Sequence, residues 1–304
     1  MTTTFNTMPS PVSRRLRRPS IIAALLAVAV VLSGCGMAVK IGYGQGSPLA
    51  FRWLDSYVDF NDAQSLRVRT ALDDWFGWHR RTQLVDYADL LARAQAELPA
   101  AATPERMCSW AREIRTRIDT GFERAAPVLA EVLPTLTVQQ ISTIEKKYAE
   151  KNKEYRDDFL AREPAKRRKA AVEREVERAE MFYGRLDAAQ RTFVAQSIAH
   201  SPWDGELAYS ERLRRQQDAL STIRRLAANR ATPAEADAEI RAYVQRLDRS
   251  PRENYRRYTE SLIEYNCSFA AALHNLTTTE QRRAAARKLK EYEVELRSLA
   301  ADVS

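Results

Sequence analysis

Along most of the chain the apolar positions recur at intervals of three and four. Ile141, Ile144, Tyr148, Tyr155 and Phe159 make one such stripe, and Trp110, Ile114, Ile118 and Phe122 make another. Tyr258, Leu262, Tyr265, Phe269 and Leu273 repeat it, as do Leu289, Tyr292, Leu296 and Leu299. Residues spaced this way share one face of a helix, and such faces pack into bundles. No window alternates apolar and polar residues between turn residues, as a half-buried strand would. The pattern predicts an all-α fold.

The helix starts carry one chemistry. Phe60-Asn61 with Gln64, Leu136-Thr137 with Gln140, Leu186-Asp187 with Gln190, and Leu276-Thr277 with Glu280 each place a capping side chain three residues before a Gln or Glu. This is the capping-box pattern, in which the first side chain accepts from an orphan amide and the second reaches back. Thr103-Pro104 and Thr232-Pro233 add two starts with proline in the first helical position, where its missing amide costs nothing. The helix from Thr137 can run to Glu163 before Pro164 stops it, a length of about 40 Å. Gly184 fits a left-handed cap, and Pro127 is expected to kink or break the helix begun at Pro104. With no linker after residue 50, the expectation is one elongated multi-helix bundle over 50–304.

The amino end has a different organisation. Arg14, Arg15, Arg17 and Arg18 precede twelve consecutive apolar residues, Ile21 to Leu32, a run too short for a span of about 20 residues. Residues 1–34 therefore read as an export signal. Leu32-Ser33-Gly34-Cys35 resembles the lipobox of bacterial lipoproteins, which implies acylation of the Cys35 thiol and membrane attachment through lipid. Gly36 follows, where inner-membrane lipoproteins of enteric bacteria often carry Asp; that resemblance favours the inner leaflet of the outer membrane, facing the periplasm. Residues 35–49, with Gly36, Gly42, Gly44 and Gly46 ahead of Pro48, read as a flexible tether reaching about 20 Å.

Composition agrees with helix: 29% of residues are charged, 45% are hydrophobic, and Gly (9) and Pro (12) are sparse. The formal charge of +8 includes the four arginines of the signal, and removing them leaves +4. That excess suits a solvated surface near anionic lipid, and with no base-reading motif the expectation is no nucleic-acid partner.

Candidate chemistry is thin. His79, His200 and His274 are far apart, without metal-ligand spacing, so neither a metal nor a cofactor is expected. His79 stands in Trp75-Phe76-Gly77-Trp78-His79-Arg80-Arg81, followed by Asp86-Tyr87. Trp78, His79, Arg80, Asp86 and Tyr87 could form an aromatic and cationic surface for a polar ligand, or the aromatics could be a packing seam between helices. Lys166-Arg167-Arg168-Lys169 is the densest basic run of the expected mature chain; it fits anionic headgroups or a solvated helix face. Cys108 and Cys267 could be bridged after export or remain two buried thiols. No serine sits in a Gly-rich elbow, no cysteine has a recognisable histidine partner, and no carboxylate pair stands out as acid and base.

The order of several short stretches is more specific than any one of them. Tyr57-Val58-Asp59-Phe60 with Gln64, Trp78-His79-Arg80 with Asp86 to Leu91, Leu136-Thr137 with Gln140, Gly184 with Leu186 and Gln190, Arg215-Gln216-Gln217, and Leu276-Thr277 with Gln281-Arg282 resemble the proteobacterial lipoprotein family named domain of unknown function 6279. Val85 stands where members often carry proline. The resemblance implies a helical envelope lipoprotein with no assigned activity, substrate or cofactor. The Leu-Thr-x-x-Gln element also resembles one in helical periplasmic chaperones of the envelope-stress response. Together these readings lead to a lipid-anchored, non-catalytic binding, scaffold or chaperone-like module with an envelope protein as a possible partner; the alternative is a periplasmic enzyme using dispersed Asp and Glu residues.

Overall fold

Side-chain caps set where most of the helices begin. A computed structural model describes residues 43–160 and 163–302, and among these residues there are helices and no strand. In chain order the helices are α1 (Gly46–Val58), α2 (Asp62–Trp78), α3 (Leu84–Glu97), α4 (Pro104–Val132), α5 (Val138–Phe159), α6 (Pro164–Tyr183), α7 (Ala188–His200), α8 (Gly205–Asn229), α9 (Pro233–Asp248), α10 (Glu253–Leu276) and α11 (Thr279–Ala301). A π turn, His79–Gln83, carries α2 into α3, and a 3-10 turn, Leu133–Thr135, follows α4. The expected export signal, Cys35 and the first part of the expected tether lie outside the described residues.

Asn61, Thr137, Asp187 and Thr232 form complete capping boxes with Gln64, Gln140, Gln190 and Glu235, while Thr103 caps α4 alone. The last box is shifted by one residue from the expected Thr277/Glu280 and is built from Thr278 and Gln281. Thr277 is buried instead, where its hydroxyl donates to the His274 carbonyl at 2.6 Å and accepts from the Arg282 Nε at 3.2 Å.

Four further features bear on the boundaries read from the sequence. α5 ends at Phe159, and Pro164 opens α6 where its missing amide is harmless. Gly184 has φ +71 but ψ −165, an extended mirror-image conformation open to glycine rather than the left-handed cap expected. Pro127 does not end α4, which continues to Val132. α1 begins at Gly46, inside the stretch read as tether, because Gly46 packs against Phe76 so closely that a β-carbon would overlap the ring.

The bundle is elongated, and its apolar residues gather in separate clusters along it. Phe51, Val68, Val132, Leu136, Ile141, Ile144 and Leu220 join α1, α2, α5 and α8 around the end of α4. Ala130, Leu226, Ala236 and Ile240 join α4, α8 and α9, and Val176, Ala179, Leu186, Val194 and Leu273 join α6, α7 and α10. α11 packs along α3. The Trp110-to-Phe122 stripe on α4 is not a core stripe, since Ile114 and Ile118 are 51% and 62% exposed. That stretch of α4 turns Arg117 and Gly121 inward instead, toward Asp86 at 2.8 Å and the Trp75 indole N–H at 2.9 Å. A disulfide joins Cys108 on α4 to Cys267 on α10, with Cα atoms 5.3 Å apart.

Candidate functional site

The aromatic run at the end of α2 is consumed by packing. His79 stacks on Trp75 at 4.7 Å between ring centres, meets Tyr87 edge-on at 5.3 Å, and shares a 2.9 Å hydrogen bond between Nδ1 and the Tyr43 hydroxyl. Burial lowers the His79 pKa, which keeps the ring neutral and suited to this partner. Trp78 lies beneath the Arg124 guanidinium, Arg80 donates to the Asp302 carbonyl at 3.1 Å, and Asp86 accepts from Arg117 at 2.8 Å. Thus Trp78, His79 and Tyr87 gather on a seam between α2, α3 and the residues leading into α1, with the Arg80 guanidinium over the Tyr43 ring of that seam at 5.3 Å from its centre, while Asp86 turns to Arg117. The π turn beginning at His79 makes that seam possible by adding a residue between the faces of α2 and α3.

An apolar opening lies beside it. A half-open groove of about 700 Å³ runs between α1, α2, α4, α5 and α8. Its walls are Trp53, Leu54, Tyr57, Val58, Val68, Leu72, Val128, Val132, Ile144, Tyr148 and Ile223, so it is a gap in the first apolar cluster rather than a surface dimple. Ala71 on α2 and Ala125 on α4 face the same space with side chains too small to close it. Charged side chains join the lining: Arg67, Arg124, Lys151 and Arg212, with one carboxylate, Asp74. Arg67 is paired with Glu131 at 2.5 Å and Lys151 with Glu154 at 2.8 Å, whereas Arg212 donates to the Asn152 side-chain oxygen at 2.8 Å.

On its α5–α8 side the groove adjoins a polar chamber of about 260 Å³, and Tyr148, Arg212 and Gln216 line both. Glu211, Arg215, Tyr243 and Tyr255 complete the chamber wall. Glu211 is 1% exposed and accepts from Arg214 at 2.8 Å and Arg215 at 3.3 Å. Burial alone would raise its pKa, but hydrogen bonds from Arg214 and Ser250 and the Arg214 charge outweigh it and hold the carboxyl below its ordinary value. Asp218 is lowered chiefly by its hydrogen bonds from Arg246. Burial raises Tyr243 to about 12, so its phenol stays neutral.

None of the groove residues stands out in the sequence as a site. Tyr148 and Ile144 read as a core stripe, and Arg215-Gln216 belongs to a stretch that carries a resemblance without a role. Lys166 to Lys169 lie apart from the groove on α6, with Lys166 paired to Glu163 and Lys169 to Glu173. Among the described residues no cluster of His, Cys, Asp and Glu is placed to hold a metal ion, and no helix is long and apolar enough to cross a membrane.

No curated protein and no solved structure matches the chain. A family model does, over residues 56–262, which takes in the groove apart from Trp53 and Leu54, the polar chamber and three of the four capping boxes read as such from the sequence, all but the one that opens α11. That span is more than half of the chain, and the protein therefore belongs to the family of unknown function DUF6279.

Proposed function

We propose that this chain is a lipid-anchored protein of the bacterial envelope, facing the periplasm from the inner leaflet of the outer membrane, and that it acts there as a non-catalytic binding module. The observation that carries the binding role is the apolar groove of about 700 Å³ between α1, α2, α4, α5 and α8. Its volume falls in the range of about 300–1,000 Å³ usual for small-molecule sites, and its lining is apolar with a few polar groups at the edge. The groove is half open, so its apolar lining faces water, and an apolar occupant that covers it gains about 25 cal/mol for each Å² removed from water. Asp74 is the one carboxylate in the groove lining, and Glu211 in the adjoining chamber and Asp218 behind it are engaged by arginines and held below the usual carboxylate range, which suits fixed anions better than groups exchanging protons near neutral pH.

The anchor rests on Leu32-Ser33-Gly34-Cys35 behind an export signal. Each buried methylene contributes about 0.8 kcal/mol, so attachment through several acyl chains is lasting. Cys35→Ser is expected to release the chain from membranes or stall its processing, and to abolish acyl labelling. Unchanged membrane fractionation together with unchanged labelling would overturn the anchor. For the groove, the test is native mass spectrometry of the full chain purified from its membranes. A bound apolar small molecule, lost when Val128→Trp fills the groove, is the expected result; a bare chain, or a ligand indifferent to that substitution, overturns the binding role.

A further inference from the structure

The groove and the chamber beside it have opposite chemistry and share a wall. The large volume is bounded by aliphatic and aromatic side chains, the small one by arginines, tyrosine hydroxyls and one carboxylate, and Tyr148, Arg212 and Gln216 belong to both. A ligand lying across that wall would be apolar along most of its length and polar at one end.

The charge around the chamber specifies the sign of that end. Glu211 binds Arg214 and Arg215 and has Arg252 at 3.8 Å, while Asp218 binds Arg214 and Arg246. The chamber lining itself carries two guanidinium groups, Arg212 and Arg215, against one carboxylate, Glu211, with Arg214, Arg246, Arg252 and Asp218 paired behind it and Asp74 on the groove wall. Arg212 is the cation placed where the two volumes meet, and among the described residues no carboxylate pairs with it. Its Nε donates to Asn152, its Cζ lies over the Tyr155 ring at 5.3 Å from the centre, and its remaining N–H groups are available to an acceptor. A guanidinium held at its Nε and over an aromatic ring can offer a charge-assisted pair of hydrogen bonds to a carboxylate or phosphate. The half-buried Tyr148 hydroxyl stands at the same junction and adds a neutral donor.

We infer that the groove and chamber form one site for a single-chain anionic amphiphile, a fatty acid or a lysophospholipid, with its hydrocarbon chain in the groove and its carboxylate or phosphate on Arg212. This rests on the binding role proposed above and names the ligand class. An uncharged lipid would leave the surplus of guanidinium groups unanswered, and a compact anion would leave the apolar volume empty.

The test uses membranes that contain the full chain. They are illuminated with palmitate carrying a diazirine near its methyl end, and the labelled peptides are located by mass spectrometry. Labels are expected on α2 and α4, around Val68 and Val128. Unlabelled palmitate or palmitoyl-lysophosphatidylglycerol should suppress them, and whichever of the two is stronger identifies the headgroup. Hexadecanol, with the same chain and no charge, should need roughly tenfold more, the loss of one charge-assisted hydrogen bond. Arg212→Gln should erase the preference for the anionic competitors while Arg212→Lys keeps part of it, and this ratio is readable even if the groove-filling Val128→Trp fails to fold. Equal competition by hexadecanol overturns the anionic head and leaves the groove reading standing, whereas labels absent from α2 and α4 overturn both. If labels enter the groove only in Cys35→Ser, the protein's own acyl chains occupy it and the proposal fails. If both forms are labelled, the ligand is separate from the anchor.

Discussion

Gln190 and Gln281 donate to one another's side-chain oxygens, at 2.7 and 2.9 Å, across the junction of α7 and α11. Each oxygen also accepts the amide of its own cap residue, Asp187 or Thr278, and so uses both lone pairs. Each amide nitrogen donates further to the carbonyl five residues before its partner, Leu276 or Arg185. Gln64 and Gln140 repeat the arrangement between α2 and α5, bonding to each other at 2.6 and 3.4 Å and to the Thr135 and Asp59 carbonyls. The same capping residue thus ends one helix and clamps another at two places in the molecule.

Gln190, 2% exposed, is the most enclosed of the four. Gln190→Ala removes its bonds and leaves the Leu276 carbonyl and the Asp187 amide short of partners, so a loss of about 2–3 kcal/mol in urea denaturation is expected. Gln281→Ala should cost less, and the double variant should show a coupling of about 1 kcal/mol. Strict additivity would mean that the cross-helix bonds contribute nothing beyond capping.

The capping boxes were legible in the sequence because a cap is a local event, decided by residues three apart. Their pairing was not, since Gln64 and Gln140 or Gln190 and Gln281 are brought together by the tertiary packing, and nothing in either local pattern names the partner. The all-α fold was readable for the same local reason. Ile114 and Ile118 show the limit: their spacing is helical, yet the inward face of α4 is chosen by Arg117 and Gly121 through contacts with α2 and α3. The groove was hidden because it arises from what is missing, with side chains as small as Ala71 and Ala125 in its lining, and periodicity reports only where apolar residues lie.

The Cys108–Cys267 disulfide closes a loop with a sequence separation of 159. In the chain-entropy view a loop of this length stabilises the fold by on the order of 5 kcal/mol. Reduction, or Cys108→Ala with Cys267→Ala, should lower the midpoint of urea unfolding accordingly, with α4 and α10 still packed in the native state. A midpoint unmoved by reductant would show that the bridge is absent from the mature protein or that the loop is already constrained when unfolded.

Acid should weaken the contact between α3 and α11 in a defined window. Glu293 accepts from Gln95 on α3 at 2.9 Å and from Arg297 and Lys290 at 3.0 Å, and these bonds hold its pKa at about 2 against an ordinary 4.5. The folded state therefore binds its proton less readily than the unfolded chain. The stabilisation is complete above pH 4.5 and is lost as the pH falls toward about 2. Glu293→Gln should melt below the parent protein at neutral pH, and the difference should close between pH 4.5 and about 2. A difference independent of pH would assign the effect to shape rather than charge.

Pro127 sets stability against the opening of the groove. It lies inside α4 and on the groove wall, where it cannot donate to the Glu123 carbonyl and its ring crowds that turn. An interior proline costs a helix about 3 kcal/mol relative to alanine, yet α4 runs past it to Val132. Pro127→Ala should therefore gain about 1–3 kcal/mol in urea denaturation. It should also regularise the turn beside Val128 and narrow the space, so photolabelling by the diazirine palmitate should fall as stability rises. If stability rises while labelling holds, the width of the groove is set by Ala71 and Ala125 alone. If stability falls instead, the pyrrolidine ring contributes more as part of the apolar wall than its missing hydrogen bond costs the helix.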